Sequence, residues 1–200
     1  MKKPKLRELA EAIRAVWKGP YTVAFPKRPT TIFERFRGRP KFSSTDCIGC
    51  AACAQVCPAN AIEVLDRVEG TSGTRTLTTH LDNCIFCGQC EEYCTTSTGV
   101  HLSQEYDLAT FDRSTAVETI QKDLLICESC GAVIGPIDQV RWVANKIGHA
   151  AFSNPTLMLI ALQEIDVSAY EPRGEEEPAS RADRIRILCP RCRRETTLKP

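Results

Sequence analysis

The sequence has no run of roughly 18 apolar residues, the length a helix needs to cross a bilayer, so no membrane span is expected. Its N-terminus, "MKKPKLRELAEAIRAVW", lacks a long apolar centre and a small-residue cleavage site. It reads as part of the mature protein rather than as a signal peptide. Without a secretion signal the chain is expected in a reducing compartment, where twelve cysteines do not make six disulfides. Histidine is scarce: His80, His101 and His149 stand alone, and each reads as a surface or strand residue rather than a ligand. Net charge is nearly absent, formally +1, yet residues 1–41 carry +9 and the remainder −8. A basic arm on an acidic body suggests a docking surface. At 200 residues the chain can bury a core of its own, as one domain or two small ones.

What the chain has in quantity is cysteine, and every cysteine belongs to a C-x2-C pair or an extension of one. "CIGCAACAQVCP" and "CIFCGQCEEYCT" are two copies of one pattern, with Cys47/Cys84, Cys50/Cys87, Cys53/Cys90 and Cys57/Cys94 at a constant offset. C-x2-C-x2-C-x3-C is a [4Fe–4S] ligand run, and where two runs occur the fourth cysteine of each serves the other cluster. This assigns Cys47, Cys50, Cys53 and Cys94 to cluster one, and Cys84, Cys87, Cys90 and Cys57 to cluster two. A zinc array is the competing reading, but zinc knuckles need no third and fourth cysteine at these spacings, twice. Gly49, Ala51, Ala52 and Gly88 are small enough to let backbone N–H groups approach sulfur, and Ile48, Val56, Ile85 and Phe86 would keep water off. Nothing in this segment resembles a substrate pocket or a catalytic base; it reads as a conduit for single electrons.

The other four cysteines form two pairs, Cys127/Cys130 and Cys189/Cys192. Together they make one tetrahedral four-thiolate site, for zinc or alternatively a single iron. The pairs are separated by 58 residues, far beyond the roughly 15–20 usual between such knuckles, so a helical insertion is expected between them.

Three stretches are expected: 1–42 as an amphipathic helix and basic docking arm, 43–112 as the two-cluster domain, and 113–200 as a helical extension closed by the four-cysteine site. In the first, Leu6, Leu9, Ala10, Ile13, Val16 and Trp17 recur at helical spacing, and Gly19-Pro20 ends the helix. Trp17 is either an interface anchor or core packing. Between the motifs, "IEVLDRVEGTSGTRTLTTHL" reads as two strands joined at Gly70–Gly73. Beyond them, Ser114 is expected to cap a helix containing Val117, Ile120 and Leu124. A second helix follows Pro136, with Ile137, Val140, Ala144 and Ile147 on one face, Trp142 partly buried and Gly148 at its end. A third starts at Asn154-Pro155 and runs to Ile165. The acidic stretch 171–183, including Glu175–Glu177, reads as a solvated loop, and "RIRIL" as a short strand delivering Cys189 and Cys192. The fold class is therefore α+β.

The block running from "FRGRP" through the two motifs to "LSQEYDLA" resembles the polyferredoxin subunit of respiratory complex I and its relatives in membrane-bound [NiFe] hydrogenases. It is most similar to the iron–sulfur subunit of formate hydrogenlyase-type complexes, whose C-terminal extension carries further CxxC pairs, as at Cys127/Cys130 and Cys189/Cys192. The resemblance implies a non-catalytic electron-transfer subunit with two [4Fe–4S] clusters, peripheral on the cytoplasmic side of the cell membrane. It implies as partners a membrane-embedded subunit and an adjacent iron–sulfur small subunit. The equivalent subunit of a quinone-reducing complex I is the second reading, and a free ferredoxin-like carrier or a zinc-ribbon nucleic-acid binder the third. Arg191, Arg193 and Arg194 flank the last knuckle, but the acidic body argues against nucleic acid.

One departure from that family stands out. It places proline after the fourth cysteine of both motifs, whereas this chain has Cys57-Pro58 but Cys94-Thr95. Proline removes an N–H; threonine restores it and adds a hydroxyl. Thr95 either donates to a sulfur of cluster one, raising its potential, or merely accommodates the longer stretch from Cys94 to Val100.

Overall fold

The computed structural model describes residues 5–19, 22–164 and 185–198. The chain divides into two compact units, Met1–Phe36 and Arg37–Pro200.

The first unit is built on helix α1, Leu6–Lys18. Glu8 accepts the Lys5 backbone N–H at 3.0 Å, and Gly19, at φ 73°, returns its N–H to Ala15 O at 3.0 Å. These bonds satisfy groups that a helix end otherwise leaves without partners. Leu6, Leu9, Ile13, Val16 and Trp17 are all exposed, and no residue of α1 is buried. Among the described residues no helix is long and apolar enough to cross a membrane.

In the second unit, strand β1 (Pro40–Phe42) pairs antiparallel with β4 (Val100–Leu102), Pro40 opposite Leu102. The close approach continues outward, with Gly38 N–H on Ser103 O at 2.9 Å and Ser103 N–H on Arg39 O at 2.9 Å. Any Cβ at Gly38 would collide with the Glu105 and Ser103 carbonyls, which is why glycine stands there. Between β1 and β4 lie both cysteine motifs and a hairpin of β2 (Ile62–Glu69) and β3 (Ser72–His80). Glu69 faces Ser72 across a two-residue turn whose Gly70 has φ 62°, a conformation open to glycine without steric cost. The expected hairpin is thus present.

The expected helix at Val117, Ile120 and Leu124 is not. Those residues form strand β5, Val117–Ile126, antiparallel to β3 with Leu77 opposite Ile120. Ser114 lies in a single 3-10 turn, where Asp112 caps it by accepting the Ser114 N–H at 2.9 Å. Strand β6 (Val133–Pro136) completes a four-stranded sheet in the order β2-β3-β5-β6. The sheet therefore runs from the two-cluster segment into the extension. Arg39 reinforces the junction by binding Glu118 Oε2 and Val117 O, both at 2.7 Å.

Helix α4 (Ile137–Ile147) follows Pro136 and ends at Gly148, as expected. Trp142 is half-buried, with the Lys146 ammonium 5.5 Å from its ring centre. Helix α5 (Pro155–Glu164) covers the third helix as far as the described residues reach, since Ile165 and the acidic stretch 171–183 lie outside them. Residues 185–189 are not a strand, and Cys192 stands on a last helix, α6 (Pro190–Leu198).

Three hydrophobic centres organise the described residues of this unit, one of them around Leu188 with Cys127, Cys189 and Cys192. Another joins Leu77, Ile62 and Val100 to Cys47 and Cys53. The third packs Leu125 of the sheet against Ile160 of α5 and Ile187.

Candidate metal centres

Each motif folds as a tight loop followed by one helical turn, α2 (Ala52–Gln55) or α3 (Gln89–Glu92). The loops share a backbone signature. Gly49 (φ 67°) and Ala51 (φ 63°) are left-handed in the first, and their counterparts in the repeat, Phe86 (φ 53°) and Gly88 (φ 83°), in the second. These reversals curl the chain so that three sulfurs face inward. One glycine per loop relieves one strained position, while Ala51 and Phe86 hold the other at a steric cost.

The fourth cysteine of each motif crosses over. One cavity is lined by Cys47, Cys50, Cys53 and Cys94, with Phe42, Ile48, Val100 and Thr95 among its other walls. A second is lined by Cys57, Cys84, Cys87 and Cys90, with Ile62, Phe86 and Leu102. Of the expected water-excluding residues, Ile48 is buried, Val56 and Phe86 are half-buried, and Ile85 is largely exposed.

The chemistry of these cavities suits a cationic iron–sulfur group. Burial pushes the Cys53 thiol up to about 12 and Cys90 to about 11, and it raises Cys47 and Cys84 as well. Such thiols become thiolates readily only beside metal, whose binding then releases their protons. Backbone donors stand ready for the sulfur charge: Ala61 N–H on Cys57 Sγ at 3.3 Å and Phe86 N–H on Cys84 Sγ at 3.4 Å. At Cys94 burial acts to raise the pKa. The Thr96 hydroxyl and the N–H groups of Thr96, Gly99 and Val100 outweigh it, leaving the thiol below its ordinary value. Gly99 is an obligatory approach, since a Cβ there would come within 3.1 Å of Cys94 Sγ and 2.8 Å of Thr96 Oγ1.

Three residues near the first cavity were not singled out from sequence. Lys122 of β5 lies over the Cys47–Cys50 loop; a Cβ on Gly49 would be 3.1 Å from its own Cβ. Its ammonium donates to Ser44 O at 2.8 Å and Asp138 at 2.9 Å. Arg75 of β3 donates to Gly49 O at 3.2 Å while both ends of its guanidinium bind Asp66, at 2.7 and 2.8 Å. Thr96 reaches Cys94 Sγ at 3.5 Å. A lysine on the inward side of alternating Ile120 and Leu124 was the available signal for the first.

The remaining cysteines form a third centre. Cys127, Cys130, Cys189 and Cys192 bring their sulfurs within 4.8 Å of one another, and among the described residues no other set of three or more histidine, cysteine or acidic donors converges so closely. In the third centre Cys127 directly follows β5 and Cys189 precedes α6, joined by Cys189 N–H on Cys127 Sγ at 3.3 Å. Burial opposes the Cys127 thiolate, but the N–H groups of Cys189, Cys130 and Ser129 prevail and bring its pKa down to about 6. Three of the four cysteines are buried and Cys130 is exposed. None of the histidines takes part; His80 Nε2 lies 3.3 Å from Glu63 at the sheet edge.

Two crossed cysteine sets within one compact unit fit a two-cluster ferredoxin-type domain. Residues 46–98 match the model of the 4Fe-4S dicluster domain, which supports two [4Fe–4S] clusters here. The chain is 38% identical over 97 residues to NAD(P)H-quinone oxidoreductase subunit I of Gloeobacter violaceus, covering 47% of this chain and 46% of that one. It is 28% identical over 132 residues to formate hydrogenlyase subunit 6 of Escherichia coli, covering 66% and 71%. It is 28% identical over 116 residues to NADH-quinone oxidoreductase subunit I 2 of Geobacter metallireducens, covering 55% and 88%. The chain thus spans about half the length of the first of these relatives. Over this part of its length the chain is similar to subunits of quinone oxidoreductases and of formate hydrogenlyase.

Proposed function

We propose that the chain is an electron-transfer subunit of a membrane-bound complex of the formate hydrogenlyase type, relaying single electrons through two [4Fe–4S] clusters. The crossed ligand sets carry this reading: Cys47, Cys50, Cys53 and Cys94 hold cluster one, and Cys84, Cys87, Cys90 and Cys57 hold cluster two. When bound, each cluster accepts and returns one electron. The chain's own part is to hold the two in series and dry. The helical turns α2 and α3 pack together, and Cys53 of one set senses the charge of Cys90 in the other.

The formate hydrogenlyase assignment is supported by the four-thiolate site and by the longer match to that relative, 132 residues against 97 for the quinone oxidoreductase subunit. In this reading Cys127, Cys130, Cys189 and Cys192 hold one structural zinc that fastens the extension. The complex I assignment is the second reading, favoured by the higher identity of its shorter match. Residues 43–112 then form the cluster domain and 113–200 its brace, while 1–42 dock the subunit on the cytoplasmic face of the membrane. The exposed apolar residues of α1 and the basic arm suit a membrane subunit bordered by anionic lipid.

Anaerobic purification with metal analysis tests the reading. About eight irons and one further metal per chain are expected, with membrane hydrogenase subunits co-purifying. Four irons, or zinc alone, would overturn it; co-purification with a quinone-reducing assembly would select the second reading. Removing residues 1–20 should release the subunit to the soluble fraction with its iron intact, and retention on the membrane would show that α1 is not the anchor.

A further inference from the structure

The two cluster cavities are not electrically equivalent. Both receive backbone N–H groups: Gly49 at Cys47 and Ala54 at Cys53 in the first, Ala61 at Cys57, Phe86 at Cys84 and Glu91 at Cys90 in the second. The first cavity also has the N–H groups of Thr96, Gly99 and Val100 at Cys94, and it adds side-chain hydroxyls. Thr95 Oγ1 lies 3.2 Å from Cys50 Sγ. A metal-bound thiolate has no proton to give, so the hydroxyl must be the donor. Thr96 makes a similar contact with Cys94. In the first motif the residue matching Thr95 is Pro58, which has neither hydroxyl nor N–H.

Cations add to the asymmetry. The Lys122 side chain is 11% exposed, and its charge reaches Cys47 even though its ammonium is paired with Asp138. Arg75, paired with Asp66, senses the charge of Cys50. At the second cavity Arg37 donates to Cys87 O at 3.0 Å, but this residue is exposed and its field is screened by water. Reducing a cluster adds one negative charge. Donors and buried cations stabilise that charge, so they favour the reduced form.

We propose that Thr95 and Lys122 make cluster one the higher-potential member of the pair, so that a single electron shared by the two rests in the first cavity. The proposal rests on both cavities holding [4Fe–4S] clusters. Thr95 acts through Cys50 and Lys122 through the field at Cys47, so both are positioning residues rather than ligands.

The test is an EPR-monitored redox titration of the full-length, iron-loaded chain, with iron counted for every variant. Thr95→Val keeps the shape and removes the hydroxyl, whereas Thr95→Ser keeps the hydroxyl. Thr95→Val should disfavour the higher-potential reduction about tenfold, a fall of about 59 mV for one electron. Thr95→Ser should leave that transition in place. Lys122→Met should lower the same transition, and the lower-potential one should stay put in all three. If Lys122→Met fails to fold, the valine and serine pair decides alone. The proposal is overturned if Thr95→Val moves neither transition or only the lower one, or if serine shifts the potential as far as valine. Wild-type protein with four irons would instead overturn the two-cluster reading itself, whereas eight irons with unmoved potentials would remove this inference and leave that reading standing.

Discussion

Replacing Gly49 by alanine separates backbone strain from crowding at the first cluster loop. Gly49 has φ 67°, and a left-handed residue other than glycine costs about 1–2 kcal/mol. The added Cβ would also stand 3.1 and 3.2 Å from Lys122 Cβ and Cγ and 3.2 Å from Pro136 Cγ. None of these yields easily: Lys122 is fastened at its far end by Ser44 and Asp138, and Pro136 is a ring at the start of α4. Overpacking of this kind costs about 1–3 kcal/mol, which brings the total to about 2–5 kcal/mol. Gly88→Ala is the matched control. It carries a similar φ, 83°, but its Cβ would meet nothing closer than Leu102 Cδ1 at 3.5 Å, an ordinary contact. Ala51 already occupies the equivalent position in the other loop at φ 63°, so Gly88→Ala should cost only the backbone share, about 1–2 kcal/mol. Anaerobic urea unfolding of the iron-loaded proteins, followed by circular dichroism and visible absorbance, compares the two. Gly49→Ala should have the lower midpoint, and its first cluster should be lost before the second. Equal midpoints would refute the claim that β5 and α4 press on this loop.

Leu77→Ala removes a side chain 1% exposed, where the hairpin meets Cys47, Cys53, Ile62 and Val100, and should cost about 2–5 kcal/mol by chemical denaturation. Cys130→Ser alters the one exposed ligand of the four-thiolate site; metal analysis should show that metal depleted while eight irons remain. Asp66 is held below its ordinary 3.8 chiefly by hydrogen bonds from Arg75. A depressed carboxylate stabilises fully above its unfolded pKa and loses that contribution as pH falls through the folded one. Asp66→Asn should therefore cost about 1 kcal/mol near neutrality, and its urea midpoint should converge with that of wild type as pH falls below about 4.

The metal sites were legible because ligand spacing is local. A C-x2-C-x2-C-x3-C run converges through its own loop, and the exchange of fourth cysteines follows from there being two runs. The pairing of Cys127/Cys130 with Cys189/Cys192 was legible for a different reason: four thiolates satisfy one tetrahedral ion. Strand β5 was misread because Val117, Ile120 and Leu124 also fit one face of a helix. Its true alternation places Ile120, Lys122 and Leu124 inward and Thr119, Gln121 and Asp123 outward. A charged residue at the middle inward position hides a period of two. Lys122 faces inward because it serves the loop at Gly49, so the residue that obscured the strand is the one that links it to the first cluster. Arg75 left no comparable trace, because its partners Asp66 and Gly49 meet it only through the hairpin and the loop fold.

The pairing of β1 with β4 makes the entrance and the exit of the cluster-bearing segment neighbours, with Pro40 beside Leu102. A stretch of chain whose two ends lie side by side can be carried from one polypeptide to another with little disturbance to its host. The residues before Pro40 can then change toward a new anchorage, whereas those after Leu102 stay tied to the segment, through β5 on β3 and Lys122 at Ser44. The match to the dicluster domain stops at residue 98, just inside that closure, while the four-thiolate extension lies wholly beyond it. The clasp thus makes the cluster-bearing segment a cassette with one loose end, while its other end is stitched back into it by the sheet.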